Sequence, residues 1–311
     1  MMMFYMLTSI SLLLFFITFL YYLGVFAMEN ALKIFAKSLK HLKKHPILFV
    51  PNCIFYTAMY TMGVFFTALS VLIIYYGLGY TILTLLSLII LVVSTLFSAF
   101  TTAGNIGMAK DVIESDDTDL YHFFSYGKRY TLKLVIASVL ITMLRGLSAF
   151  FWTPVVRLFA GSDYSMVDVA DALQNDPASL LPLFNILAVP ALVSLILTAA
   201  YFVLISFMFY FISYIIVIDH SSVYASYRKS FSYLRKKPIQ ISSFVFMVLI
   251  FGLIPHILTG ILIYYVPSSP HLSVFMIAVN IMFSILFVSV TNVWVTRFYM
   301  VLEKRILSEK D

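Results

Sequence analysis

The chain has 311 residues, of which 62% are apolar and 11% charged, with a formal net charge of +6 and a mean hydropathy of +1.00. That composition excludes a water-soluble domain, whose surface must be rich in polar and charged groups. It describes an integral membrane protein.

Residues 1–27, MMMFYMLTSISLLLFFITFLYYLGVFA, allow three readings: a membrane span, a signal peptide ending in VFA, or an extension ahead of a start at Met28. The signal peptide is the weakest of them. The segment lacks a basic leading region, and cleavage would leave the lysines from Lys33 to Lys44 outside.

Next comes KSLKHLKKHP at 37–46, which returns 192 positions later as KSFSYLRKKP at 229–238. On a helix, Leu32, Phe35, Leu39 and Leu42 share one face and Lys33, Lys37, Lys40 and Lys44 another. The second copy puts Tyr224, Tyr227, Phe231 and Leu234 in the same register. A fainter third copy, DLYHFFSYGKRY at 119–130, aligns Leu120, Phe124 and Gly127 with Tyr227, Phe231 and Leu234. Helices of this kind suit the headgroup interface, with rings and leucines in the acyl boundary and cations among anionic headgroups. Pro46 and Pro238 are placed to turn the chain into the membrane. Ser221 or Ser222, and Asp117 or Thr118, are the expected N-caps of the second and third copies.

A hydrocarbon core of about 30 Å takes about 20 apolar residues per helical crossing. Six segments qualify, at 46–75, 80–108, 131–156, 182–217, 239–265 and 272–301. They are apolar on every face, unlike the alternating strands of an outer-membrane barrel. The single cysteine, Cys53, excludes an internal disulfide and is expected as a small buried side chain. The expected fold is therefore all-α: a polytopic transmembrane bundle of six core spans, with a seventh if residues 1–27 cross, and three cytoplasmic interfacial amphipathic helices. Three units result, 28–109, 110–218 and 219–303, each an interfacial helix followed by two spans, with a cytoplasmic tail at 304–311.

Seventeen of the 20 lysines and arginines fall in 33–44, 110–133, 228–237 and 304–310, all on one side if the spans alternate. Basic residues of short loops stay cytoplasmic, so Met28 and the C-terminus are expected inside, in the cytoplasmic membrane. The acidic segment SDYSMVDVADALQNDP at 162–177 then lies outside. The candidate headgroup contacts are Lys37, Lys40, Lys43, Lys44, Lys128, Arg129, Arg228, Lys229, Arg235, Lys236 and Lys237. The implied partner is anionic membrane lipid and not nucleic acid, because the cations are confined to the membrane face.

Two stretches carry a resemblance. IIVIDHSSVYASYRKSFSYLRKKPIQISSF at 215–244 pairs an apolar-acidic turn with a small-residue helix, a basic cluster and the next span; TTAGNIGMAKDVIESDDTDLYHFFSYGKRY at 101–130 joins a small-residue helix end to an acidic turn and a Phe/Gly/Lys helix. Over residues 29–305 the chain resembles a group of uncharacterised prokaryotic polytopic membrane proteins related to the membrane domain of glycerophosphodiester phosphodiesterases. The resemblance implies architecture and transfers no catalytic residue.

No phosphate loop, nucleophile elbow or cofactor motif is present. His41 and His45 have the spacing of a helical metal pair but no acidic or cysteine partner beside them in sequence. DDTD at 116–119 is similar to Mg²⁺-binding acidic clusters, yet it precedes a helix, where carboxylates favour the N-terminal dipole. Arg145, some 15 residues into the third span, is the candidate intramembrane polar site, either snorkelling past Trp152, paired structurally, or facing a substrate. Pro190, and Pro255 with His256, are candidate kinks. Arg297 reads as an interfacial residue near Glu303. Two functions follow: a non-catalytic lipid-interacting or scaffolding protein, or a transporter or flippase of an amphiphile. An intramembrane enzyme comes third.

Overall fold

The computed structural model describes residues 25–76, 80–160, 181–265 and 270–308. The candidate span at 1–27, except for its last three residues, and the acidic segment 162–177 lie outside the described residues, as does the side chain of His256. The helices are α1 (Val25–Lys44), α2 (Val50–Tyr75), α3 (Tyr80–Ser115), α4 (Leu120–Gly146), α5 (Thr153–Ala160), α6 (Leu181–Phe209), α7 (Ile212–Ile218), α8 (Val223–Lys236), α9 (Pro238–Tyr265) and α10 (Pro270–Ser308), with 3-10 turns at Pro46–Phe49 and Leu147–Trp152. No strand occurs among the described residues.

Five helical stretches are long and apolar enough to cross a membrane: Pro46–Tyr75, Thr81–Ser115, Leu120–Leu158, Leu187–Ile218 and Ala278–Glu303; α8 and α9, bent by 108°, make a sixth if taken together. Their side chains explain why. Val64 is 70% exposed and Phe65 66%, and Leu85, Ile89 and Leu91 are also exposed. Contiguous apolar surface of this extent needs lipid to cover it. Cys53, expected to be buried, is exposed with Ile54 beside it, because the neighbouring helices cover the side of α2 that carries Asn52.

The chain divides into two compact units, residues 137–210 and the remainder. In the larger unit α2 pairs with α3 and α9 with α10, while α10 also packs on α1, α2 and α3. Leu42, Leu48, Met108, Val112, Phe123 and Val293 form one core cluster, against which Phe35 and Phe100 pack. A second is aromatic: the rings of Phe244 and Phe298 stack 3.6 Å apart, with Phe211 and Trp294 beside them. The smaller unit is a hairpin laced along one face of α6. Ser194 donates to the Phe151 carbonyl, Trp152 Nε1 to Thr198, Tyr201 to the Leu144 carbonyl, and Arg145 to Ser206 at 3.1 Å. Such bonds satisfy polar groups where no water is at hand. α6 runs unbroken through Pro190.

The two proline-marked copies end as the sequence suggests. α1 closes with His45 donating to the His41 carbonyl, and Pro46 opens the next turn. α8 begins on Ser222, whose hydroxyl accepts from Ala225 N, and stops before Pro238. The third copy is different. Residues 120–130 form no separate helix but the first turns of α4, because no proline interrupts the passage into 131–146. Its N-cap is Asp119, which accepts from His122 N at 2.9 Å, rather than Asp117 or Thr118. Thr118 is instead buried.

Candidate functional site

The long helices of the larger unit bring their basic ends together. Lys44, at the end of α1, contacts Asp116 after α3. Lys110 of α3 reaches the Ile218 carbonyl at the end of α7, and Lys133 of α4 reaches the Ser221 carbonyl, each at 3.4 Å. Cations there suit the negative end of a helix. Two of these helix ends finish in the same way: Asp116 and His220 both hold φ of 57°, the left-handed cap usually left to glycine. Each turn carries an exposed polar side chain that bonds a neighbouring helix. Asp116 bonds Lys44 and His45, and these contacts hold its pKa at about 2. His220 Nδ1 shares a hydrogen bond with the Tyr130 hydroxyl. Burial first, then Lys110 and Arg129, keep the His220 imidazole below its ordinary range.

A largely buried charge at this end is Asp219, whose side chain is 13% exposed. It accepts from Lys229 at 2.5 Å and from the hydroxyl of the fully buried Tyr299. Lys229 also lies 2.8 Å from Glu303. Burial works to lower the Lys229 pKa, but the bonds to Asp219 and Glu303 outweigh it and raise it. Lys229, one of the candidate headgroup contacts, is thus held by two carboxylates of the protein itself. A lone carboxylate closing the apolar run IIVID, ten residues before Lys229, was the available signal.

At the 192-residue spacing, three pairs of equivalent positions share their burial. Ser38 and Ser230 are both buried, whereas Leu32 and Tyr224, like Leu39 and Phe231, are exposed. Phe35 packs edge-on against Trp294, and Leu42 is buried in the protein core. The apolar face drawn from the sequence is thus split: one edge enters the protein, and Leu32 and Leu39 remain outside. Small serines account for the shift, since they let each helix approach its neighbours closely. Lys40, Lys43, Arg228, Arg235 and Lys236 are exposed, as are Lys128 and Arg129 at the start of α4.

Beside this end lies a cavity of about 420 Å³ lined by Lys37, Lys40, His41, Lys44, Asp116 and Arg297. Glu303 bonds Lys229, and Arg297, expected as an interfacial residue near Glu303, lines the cavity. Its Nη1 and His41 Nδ1 are buried without a hydrogen-bond partner. Burial first, then the Arg297 charge, lowers the His41 pKa. Among the described residues no group of three His, Cys, Asp or Glu is placed to hold a metal ion.

A further polar chain was missed by sequence reading. Asn105 Nδ2 donates to Asn52 Oδ1 at 2.8 Å and Asn52 Nδ2 to Ser289 at 2.7 Å, all three residues being buried where α2, α3 and α10 meet. An asparagine in an apolar run was the signal. Arg145 lies in the smaller unit, bonded to Ser206 through one nitrogen while its Nε is buried without a partner.

These features define an all-helical membrane protein with several candidate spans and a basic, polar-laced end. The chain belongs to the family described as a domain of unknown function, DUF7847, which matches residues 30–302. No curated protein and no solved structure matches it.

Proposed function

We propose that the chain is a non-catalytic, multi-pass protein of the cytoplasmic membrane that engages anionic lipid headgroups through its basic end, which faces the cytoplasm. One observation carries the reading: on α1 and α8 exposed cations lie beside exposed apolar side chains, with Lys43 next to Leu39 and Arg228 and Arg235 flanking Phe231. Such a surface suits the boundary between acyl chains and headgroups. The concentration of lysines and arginines at that end matches the cytoplasmic bias of basic loops. The matched burial of Ser38 and Ser230 supports the view that α1 with its hairpin and α8 with its hairpin are repeats of one unit.

Reversing Lys43, Arg228, Arg235 and Lys236 to glutamate tests this, since among the described residues none of the four has an ion-pair partner. In nanodiscs of mixed phosphatidylglycerol and phosphatidylcholine, lipid exchange measures the preference of the protein's immediate shell for the anionic lipid. At about 1 kcal/mol per basic residue near the surface, each site favours it roughly fivefold. The wild type is expected to show that preference, weakening with salt, and the variant to lose it. An unchanged preference in the variant refutes the reading.

A further inference from the structure

We propose that the cavity between α1, the end of α3 and α10 binds one phosphate group, carried by a phosphomonoester headgroup or free in solution, with Arg297 and Lys40 as its principal contacts. The lipid-facing reading bears on where the ligand comes from; the site itself rests on its own geometry.

Charge selects the class of ligand. Four side-chain cations, Lys37, Lys40, Lys44 and Arg297, line the cavity against one carboxylate. That carboxylate is committed, since Asp116 offers one oxygen to Lys44 and the other to His45. A cation is repelled from such a pocket and an anion is drawn in.

Unpartnered side-chain nitrogens select the shape. Arg297 Nη1 and His41 Nδ1 are buried and bond to nothing, and buried polar groups left empty mark a place for an ion or water. A planar guanidinium presents a fork matched to phosphate oxygens, with lysines adding mobile point charges. A water occupies about 30 Å³ of liquid, so a cavity of about 420 Å³ has room for a tetrahedral anion and its attached group.

The repeated decapeptide adds an independent argument. Lys37 and Lys229 hold the same position in the two copies. Around Lys229 the protein supplies the anions, Asp219 and Glu303. Lys37 has no ion-pair partner among the described residues and faces a cavity instead. In the first copy the anion comes from outside.

The test titrates the purified full chain in neutral detergent with inorganic phosphate, dihexanoyl phosphatidic acid and dihexanoyl phosphatidylcholine, counting one-to-one adducts by native mass spectrometry. Phosphatidic acid, phosphate or both are expected to bind once, and phosphatidylcholine not at all. Arg297→Gln is expected to weaken binding at least about tenfold, the effect of losing a charge-assisted contact. Lys40→Gln, on the exposed side of α1, gives a second reading should Arg297→Gln fail to fold, and is expected to weaken binding several-fold. Binding of phosphatidic acid alone assigns a lipid headgroup; displacement of it by phosphate assigns a free anion. If neither probe binds, or if both variants bind as the wild type does, the proposal is overturned. The four reversals on Lys43, Arg228, Arg235 and Lys236 lie outside the cavity, so the shell preference fails or survives separately from this site.

Discussion

Asp219→Ala is expected to destabilise the protein by about 2–4 kcal/mol, seen as a lowered melting temperature in detergent. The Tyr299 hydroxyl is fully buried and donates to Asp219, and a buried donor without an acceptor costs about 1–3 kcal/mol. Lys229 supplies a smaller share. It is one-third exposed and keeps Glu303 at 2.8 Å, so solvent softens its loss. Asp219→Asn keeps an acceptor for Tyr299 and is expected to be milder. Adding Tyr299→Phe to Asp219→Ala removes the orphaned hydroxyl and should restore much of the loss. A cost for Asp219→Ala below about 0.5 kcal/mol, the usual range of a surface change, would show that the network is idle.

Gly104→Ala is expected to be comparably damaging. A Cβ there would lie 2.2 Å from the Phe123 ring and 2.9 Å from the Phe123 carbonyl oxygen, and one at Gly107 would meet the Tyr126 ring at 2.1 Å. The ring of Phe123 is held in the core cluster and its carbonyl belongs to the backbone of α4, so neither yields without moving the helix. Overpacking of this kind costs about 1–3 kcal/mol, occasionally more. Gly63→Ala and Gly252→Ala are the controls, because nothing lies within 4 Å of a Cβ at either position. They should stabilise their helices by up to about 1 kcal/mol, the ordinary gain of alanine over glycine. If Gly104→Ala behaves as these controls do, α3 and α4 are not closely packed at this point.

The spans were legible because a crossing helix is apolar on all sides for some 20 residues, a signal that owes nothing to tertiary packing. So were the ends of α1 and α8, where Pro46 and Pro238 act locally. The third copy misled because its charges and rings match while the proline is missing, and the proline is what separates a helix from the span after it. Which face of α1 enters the protein was not legible. Leu39 and Leu42 are alike in sequence, and only the neighbouring Ser38, small enough for close approach, distinguishes the buried edge. The same holds for the lysines. Lys37 and Lys229 are one residue type in one motif, and their different circumstances come from Asp219 and Glu303, both distant from Lys37 in the chain. Arg297 and Glu303 are close in sequence, yet the fold gives Glu303 to Lys229 and sets Arg297 in the cavity beside α1.

The central claim is that the basic segments lie on one side of the membrane, inside the cell. In a Cys53→Ser background, Lys40→Cys, Lys128→Cys and Lys236→Cys, all at exposed positions, are treated in intact cells with a membrane-impermeant maleimide and again after the membrane is opened. The account predicts that all three are shielded in intact cells and label once the membrane is opened. Labelling of one or two of the three in intact cells would place the basic segments on opposite faces and contradict it.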